Sequence, residues 1–138
     1  MKLFASLGLL TSAQALQTWF DWDCPTSYTS QSSFDKSRYL GRWYEIYRDQ
    51  YTGFEWLGEC GTATYTARDD GDIDIANRGW FPWWFFTYYT AEGQARPSSE
   101  GKAELYVTFA WIKDMTQPTN YKILETDYDN YSIIYQCG

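Results

Sequence analysis

Along most of the chain, polar and apolar residues alternate with a period of two, the spacing of half-buried strands rather than of helices. The run Arg42-Trp43-Tyr44-Glu45-Ile46-Tyr47-Arg48 is dense in side chains that suit a pleated surface. Residues 62–67 alternate, Asp69-Asp70-Gly71 supplies a turn, and residues 72–77 alternate again, which is a strong hairpin signature. Thr87 to Ala95 forms a fourth run, stopped by Arg96-Pro97-Ser98-Ser99-Glu100-Gly101. Lys102 to Phe109 is the fifth, Tyr121 to Thr126 the sixth, and Tyr131 to Cys137 the last. These seven strands, joined by short turns, predict an all-β fold, either an up-and-down antiparallel barrel or a sandwich. A parallel sheet would need helical crossovers, and no run has the length for one.

The same alternation assigns faces. With Asp72 and Asp74 in water, Ile73, Ile75 and Asn77 share the inner face, opposite Ala63, Tyr65 and Ala67. Leu105, Val107 and Phe109 point inward from the fifth strand, and Tyr121, Ile123 and Glu125 from the sixth, with Ile134 a further inward candidate in the last. This inner set mixes large aromatics with alanine and threonine, where a solid sandwich core would hold mostly valine, leucine and isoleucine. Small residues facing aromatic ones suit a barrel with a ligand-sized space, although the same aromatics can also fill a small barrel.

The first fifteen residues break the pattern. Met1-Lys2 is a short basic start, Leu3 to Leu10 is apolar, and Ala13-Gln14-Ala15 fits a cleavage site. The segment reads as a secretory signal peptide, leaving residues 16–138 as one β-barrel domain exported to the cell exterior or the secretory lumen. No run is long and apolar enough for a transmembrane helix. In an oxidising compartment, Cys24, Cys60 and Cys137 become disulfide material, and any single pairing leaves one over.

Composition narrows the chemistry. Aromatics make up 21% of the chain, and histidine is absent. That removes the commonest general base, the Ser-His and Cys-His nucleophile pairs and every His-ligated zinc site. No phosphate-binding glycine loop, cofactor motif or metal cluster is present, so no enzyme activity, cofactor or metal is expected. The net charge of −7 argues against a nucleic-acid partner, which needs a basic surface.

Two segments carry a family resemblance. Residues 34–45, with Gly41-Arg42-Trp43 at their centre, look like the Gly-x-Trp motif that opens the lipocalin barrel. Residues 123–132, with Thr126-Asp127-Tyr128, look like the lipocalin Thr-Asp-Tyr motif. Cys24-Pro25 and the Tyr135-Gln136-Cys137 ending are similar to the branch that holds apolipoprotein D, Lazarillo and the bilin-binding proteins. The resemblance implies structural roles for these motifs. Gly41 would give the tight turn into the first strand, Trp43 would plug the closed end, and Thr126, Asp127 and Tyr128 would order the loop beside it. It also matches Tyr39, Tyr65, Asn77 and Phe109 to pocket-lining positions, with Tyr121, Ile123 and Ile134 added from parity. By resemblance Cys24 pairs with Cys137, and Cys60 is left free or bonded to another polypeptide.

Two departures bear on function. A lipocalin closes with eight strands, and the motifs use seven by Cys137. The eighth strand and the helix after it are not found, so the first and seventh strands pair directly, another chain completes the sheet, or the sequence is a fragment. The second departure is Gly79-Trp80-Phe81-Pro82-Trp83-Trp84-Phe85-Phe86, where a polar turn would be ordinary. These aromatics either roof the cavity or form a patch for a protein partner. The leading expectation is a secreted binder of a small hydrophobic ligand of lipid, steroid, retinoid or tetrapyrrole type. The alternative is a structural or interaction subunit whose incomplete barrel and Trp/Phe-rich loop dock on a larger protein assembly, with Cys60 a possible intermolecular bond.

Overall fold

Alternation produces the expected sheet, and the sheet closes on itself. The computed structural model describes residues 2–6, 27–48, 58–82, 86–109 and 120–136. In chain order the elements are β1 (Lys2–Ser6), α1 (Lys36–Tyr39), β2 (Gly41–Tyr47), β3 (Glu59–Ala67), β4 (Ile73–Phe81), β5 (Thr87–Pro97), β6 (Glu104–Phe109), β7 (Tyr121–Thr126) and β8 (Tyr131–Gln136). Each strand pairs with the next, and β1 also pairs with β8, completing a barrel. From β2 to β8 the pairing is antiparallel throughout. β1 runs parallel to both β2 and β8. Residues 2–6 belong to the segment read as a leader, and they fill the slot that the seven-strand reading left open between β2 and β8.

The closed end is set by local chemistry. Asp35 caps α1, its Oδ1 accepting from the Arg38 amide at 3.2 Å and from the Ser37 hydroxyl at 2.6 Å. The chain then turns sharply into β2 at Gly41, whose φ of +105° suits glycine. At the β3–β4 hairpin, Arg68 bridges Asp70 and Asp74, while Arg96 reaches across from β5 to Asp72. These exposed pairs contribute little stability each, but they place a charged surface at this end of the barrel. In the Thr-Asp-Tyr turn, Asp127 Oδ1 accepts from the amides of Asp129, Asn130 and Tyr131 at 3.0, 2.7 and 3.1 Å. The Asn130 side-chain amide, donating to Oδ2 at 2.8 Å, and then these backbone amides hold the Asp127 carboxyl well below the usual range. Tyr128, at φ +68°, carries the Arg38 guanidinium 4.7 Å above its ring.

The seam between β6 and β7 is short, with only Glu104↔Lys122 and Leu105↔Tyr121 in register. Other groups stand in for the missing ladder. The Asn120 side chain accepts from the Val107 amide and donates to its carbonyl, both at 2.9 Å. On the other side Gln31 lies between the strands, its backbone bonded to Ile123 and Ala103 and its Oε1 accepting from the Thr126 amide.

Parity holds with three corrections. Tyr65, Ile73, Ile75, Leu105, Val107, Tyr121, Ile123 and Ile134 are buried. Glu125, expected inward, is exposed. A register shift between Ile123 and Glu125 inserts one residue, which turns Glu125 out and buries Thr126 in its place. Ala67, expected inward, is exposed where β3 leaves the barrel for the turn. Trp80 and Phe81, read as loop, extend β4 and are half-buried. They pair across the ladder with Tyr88 and Thr87, and their rings meet Tyr88 and Tyr89 at centroid distances of 5.0 and 6.4 Å. Cross-strand aromatic pairs of this kind stabilise a sheet, which explains why β4 runs past Asn77.

Candidate functional site

Three of the expected site residues come together at the bottom of the barrel. Tyr39, from the end of α1, is fully buried. Its ring centroid lies 5.0 Å from that of Trp43, 5.3 Å from that of Tyr65 and 5.3 Å from that of Phe34. Its hydroxyl meets Ser132 Oγ at 3.0 Å and the Tyr121 hydroxyl at 3.4 Å. Tyr121 continues to the Tyr65 hydroxyl at 3.0 Å. Ser132, Tyr39, Tyr121 and Tyr65 thus form one buried chain of hydroxyls, each with a partner in the set. Trp43 lies beneath, fully buried, its Nε1–H donating to the Tyr39 carbonyl at 2.8 Å. Sequence reasoning placed these tyrosines inward as ligand contacts. In the structure their polar ends are engaged with one another, so they make a floor.

Burial without a countercharge raises the pKa of all three phenols. Desolvation pushes Tyr39 up to about 12, moderated by its bonds to Ser132 and Tyr121, and pushes Tyr65 and Tyr121 well above the ordinary tyrosine value too. The neutral form is therefore the one that folds. Its contribution is complete below pH 10, the ordinary tyrosine value, and is lost as pH rises through the folded value near 12. Absorbance at 295 nm should show an early wave from exposed tyrosines and a late one that coincides with unfolding. A single wave near pH 10 with the fold intact would contradict the buried floor. Tyr121 is the middle of the chain, so Tyr121→Phe removes a partner from both Tyr39 and Tyr65. Urea unfolding should report a loss of about 1–3 kcal/mol, the cost of leaving a buried hydroxyl unpaired.

Away from the floor the inner wall changes character. Asn77 on β4 lies in register with Ala63 on β3 and Ala91 on β5. Its Oδ1 is buried and has no hydrogen-bond partner among the described residues. Leaving a buried carbonyl unmatched costs about 1–3 kcal/mol, so such a group asks for a function. Nearby, Gly93 lies opposite Phe109. A Cβ on Gly93 would sit 2.7 Å from Phe109 Cδ1 and 2.4 Å from the Thr108 carbonyl, so glycine lets the Phe109 ring lie close against β5. Asn77 and Phe109 therefore share a small-residue stretch of wall, separate from the hydroxyl chain of Tyr39, Tyr65 and Tyr121. Ile123 and Ile134 pair across β7 and β8 as apolar wall.

Ser132, Ala91 and Glu45 were missed as inward residues, and Glu45 is the one with a charge. Glu45 stands two places beyond Trp43 on β2 and so faces the same way. Its side chain is 18% exposed and ion-paired with Arg48 at 3.5 Å. Parity counted from Trp43 carries this signal. The remaining expected residues scatter. Cys60 is exposed and free, at φ +55° where β3 and β4 shift register. Of the aromatic patch, Phe86 is 77% exposed. Trp83, Trp84 and Phe85 lie outside the described residues, as do Cys24 and Cys137. Among the described residues there is no group of side chains suited to a metal, and no helix is long and apolar enough to cross a membrane.

Comparison with known proteins agrees with this architecture. Residues 34–136 match a family model described as a lipocalin-like domain. Over 138 residues the chain is 36% identical to apolipoprotein D of Mus musculus, spanning 99% of this chain and 68% of that protein. It is 29% identical to purpurin of Gallus gallus over 116 residues, which is 80% of this chain and 59% of that protein. The crystal structure of the major allergen Per a 4 from cockroaches superposes with a TM-score of 0.62, over 83% of this chain and 65% of that one. At 24% identity, that likeness is one of fold.

Proposed function

The chain belongs to the lipocalin family, and from that premise we propose that it carries a small hydrophobic ligand inside the barrel, without chemistry. The observation that carries the reading is Asn77, whose buried Oδ1 has no partner among the described residues and which pairs with Ala91 on β5, the strand whose Gly93 lies opposite Phe109. A filled core would match that oxygen or replace it with an apolar group. A ligand would lie with its apolar body along Ala63, Ala91, Gly93 and Phe109 and would satisfy Asn77 with one polar atom. Tyr39, Tyr65 and Tyr121 support it from below. The lipid, steroid, retinoid and tetrapyrrole classes are all of suitable character. The test is a tryptophan-fluorescence titration with a fatty acid, progesterone, retinol and biliverdin. At least one saturable, stoichiometric response is expected, and none from any of the four would overturn the reading.

Secretion is part of the proposal. The leader pattern of residues 1–15 supports it, and removal of that segment would take β1 with it and expose the edges of β2 and β8. N-terminal sequencing of the exported protein should find a start near Leu16. A start that retains Lys2–Ser6 would mean that β1 is a permanent strand.

A second reading is favoured by one feature. Phe86, Tyr88 and Tyr89, around the start of β5, are all more than half exposed, and Cys60, exposed and free, lies on β3 on the other side of β4. Exposed aromatic area of this kind suits a protein partner. Size-exclusion chromatography separates the two: obligate association or a mixed disulfide through Cys60 supports docking, and a clean monomer that binds ligand disfavours it.

A further inference from the structure

We infer that the ligand enters with a hydrogen-bond donor at its polar end, an ammonium or a hydroxyl rather than a carboxylate, directed at the inner wall that carries Asn77 and Glu45. The inference rests on the binding reading above and narrows it to a ligand chemistry.

The polar groups inside the barrel are unequal. The hydroxyls of Tyr39, Tyr65, Tyr121 and Ser132 are engaged with one another. Asn77 offers a buried oxygen without a partner among the described residues, which is an acceptor awaiting a donor. Glu45 adds a second acceptor on β2, across β3 from the strand that carries Asn77. Extending the β2–β3 register from Trp43↔Ala63 sets Glu45 opposite Gly61. A Cβ at Gly61 would come within 2.3 Å of Glu45 Oε2 and 3.1 Å of its Cβ, so the carboxylate lies directly over that glycine. An ionised carboxylate accepts and never donates, whichever way it turns.

Arg48 is the cation that an acidic ligand would seek, and its geometry is unsuited to the task. Its Nη1 faces Glu45 Oε2, and its Nη2 donates to the Gly58 carbonyl. The two terminal nitrogens point at protein oxygens rather than forming an open fork for a carboxylate. An anionic head would also meet the Glu45 charge and the net charge of −7. An ammonium or hydroxyl head can donate to Asn77 Oδ1 and to the Glu45 carboxylate.

The test uses three probes with the same ten-carbon chain: decylamine, 1-decanol and decanoate. Each is titrated by tryptophan quenching at pH 7 in 0.15 M salt, where surface charges are largely screened. Decylamine and 1-decanol should bind about tenfold more tightly than decanoate, the scale expected for a matched against an unmatched polar head. Glu45→Gln should shrink the advantage of the amine by about fivefold and leave 1-decanol nearly unchanged. Asn77→Asp, an acceptor of the same shape, should keep amine binding, while Asn77→Leu should weaken both donors. Decanoate binding as tightly as decylamine would overturn the inference and leave the barrel a carrier. So would an equal effect from Glu100→Gln, an exposed carboxylate paired with Lys102 beside the closed end. Saturation by none of the three would overturn the binding reading itself.

Discussion

Replacing Trp43 with alanine should lower the free energy of unfolding by about 4 kcal/mol, within the range of large core truncations. The indole is fully buried, stacks on Tyr39 and donates to the Tyr39 carbonyl. Its removal leaves a cavity beneath the hydroxyl chain and an unmatched carbonyl. That is a large share of the roughly 5–15 kcal/mol that holds a domain folded. Urea unfolding should show the midpoint falling by about 2 M, given the usual slope for a small protein. Trp43→Phe keeps most of the packing and loses only the donor, so it should cost about 1–2 kcal/mol. A change under about 1 kcal/mol in Trp43→Ala would mean that the floor is not the structural base of the barrel.

The second large effect is on binding. Ala91 is buried on β5 in register with Asn77, two residues before Gly93. Ala91→Phe places a ring in the space assigned to the ligand. Overpacking should cost about 1–3 kcal/mol of stability, which a folded barrel can tolerate. Affinity for the best ligand should fall by about thirtyfold or more, equivalent to a loss above 2 kcal/mol. Ala91→Val, a smaller intrusion, should give an intermediate loss and guards against misfolding of the larger variant. Unchanged affinity in a folded Ala91→Phe would place the ligand elsewhere.

Much of this fold was legible in the sequence, for a physical reason. A sheet with one wet face imposes period two on side chains, and the Asp-Gly turn fixes the register of β3 and β4. Tyr65, Ile73 and Ile75 fall inside on that count alone. What remained illegible was whatever adds a residue to the ladder or depends on three-dimensional convergence. A bulge shifts everything after it by one place, so Glu125 and Thr126 exchange faces although neither residue type announces it. The extension of β4 through Trp80 and Phe81 depends on Tyr88 and Tyr89, which are distant enough in sequence that a loop was the simpler reading. The hydroxyl chain was hidden for another reason. Parity brings Tyr65 and Tyr121 inward, and only the closed barrel shows their oxygens meeting each other. Glu45 was legible and was overlooked, since the rule that turns Trp43 inward turns it inward too. The position of residues 2–6 has no signature in alternation. An apolar run beside a basic start fits both an export leader and a strand flanked on both sides.

The central claim is that the wall between Asn77 and Phe109 faces a ligand and is not packed solid. The most direct test is a crystal structure of the protein saturated with 1-decanol. Continuous ligand density is expected inside the barrel, with the hydroxyl within about 3.2 Å of Asn77 Oδ1 and the chain along Ala91, Gly93 and Phe109. An interior filled by protein side chains, with Asn77 Oδ1 bonded to one of them and no ligand density, would contradict it.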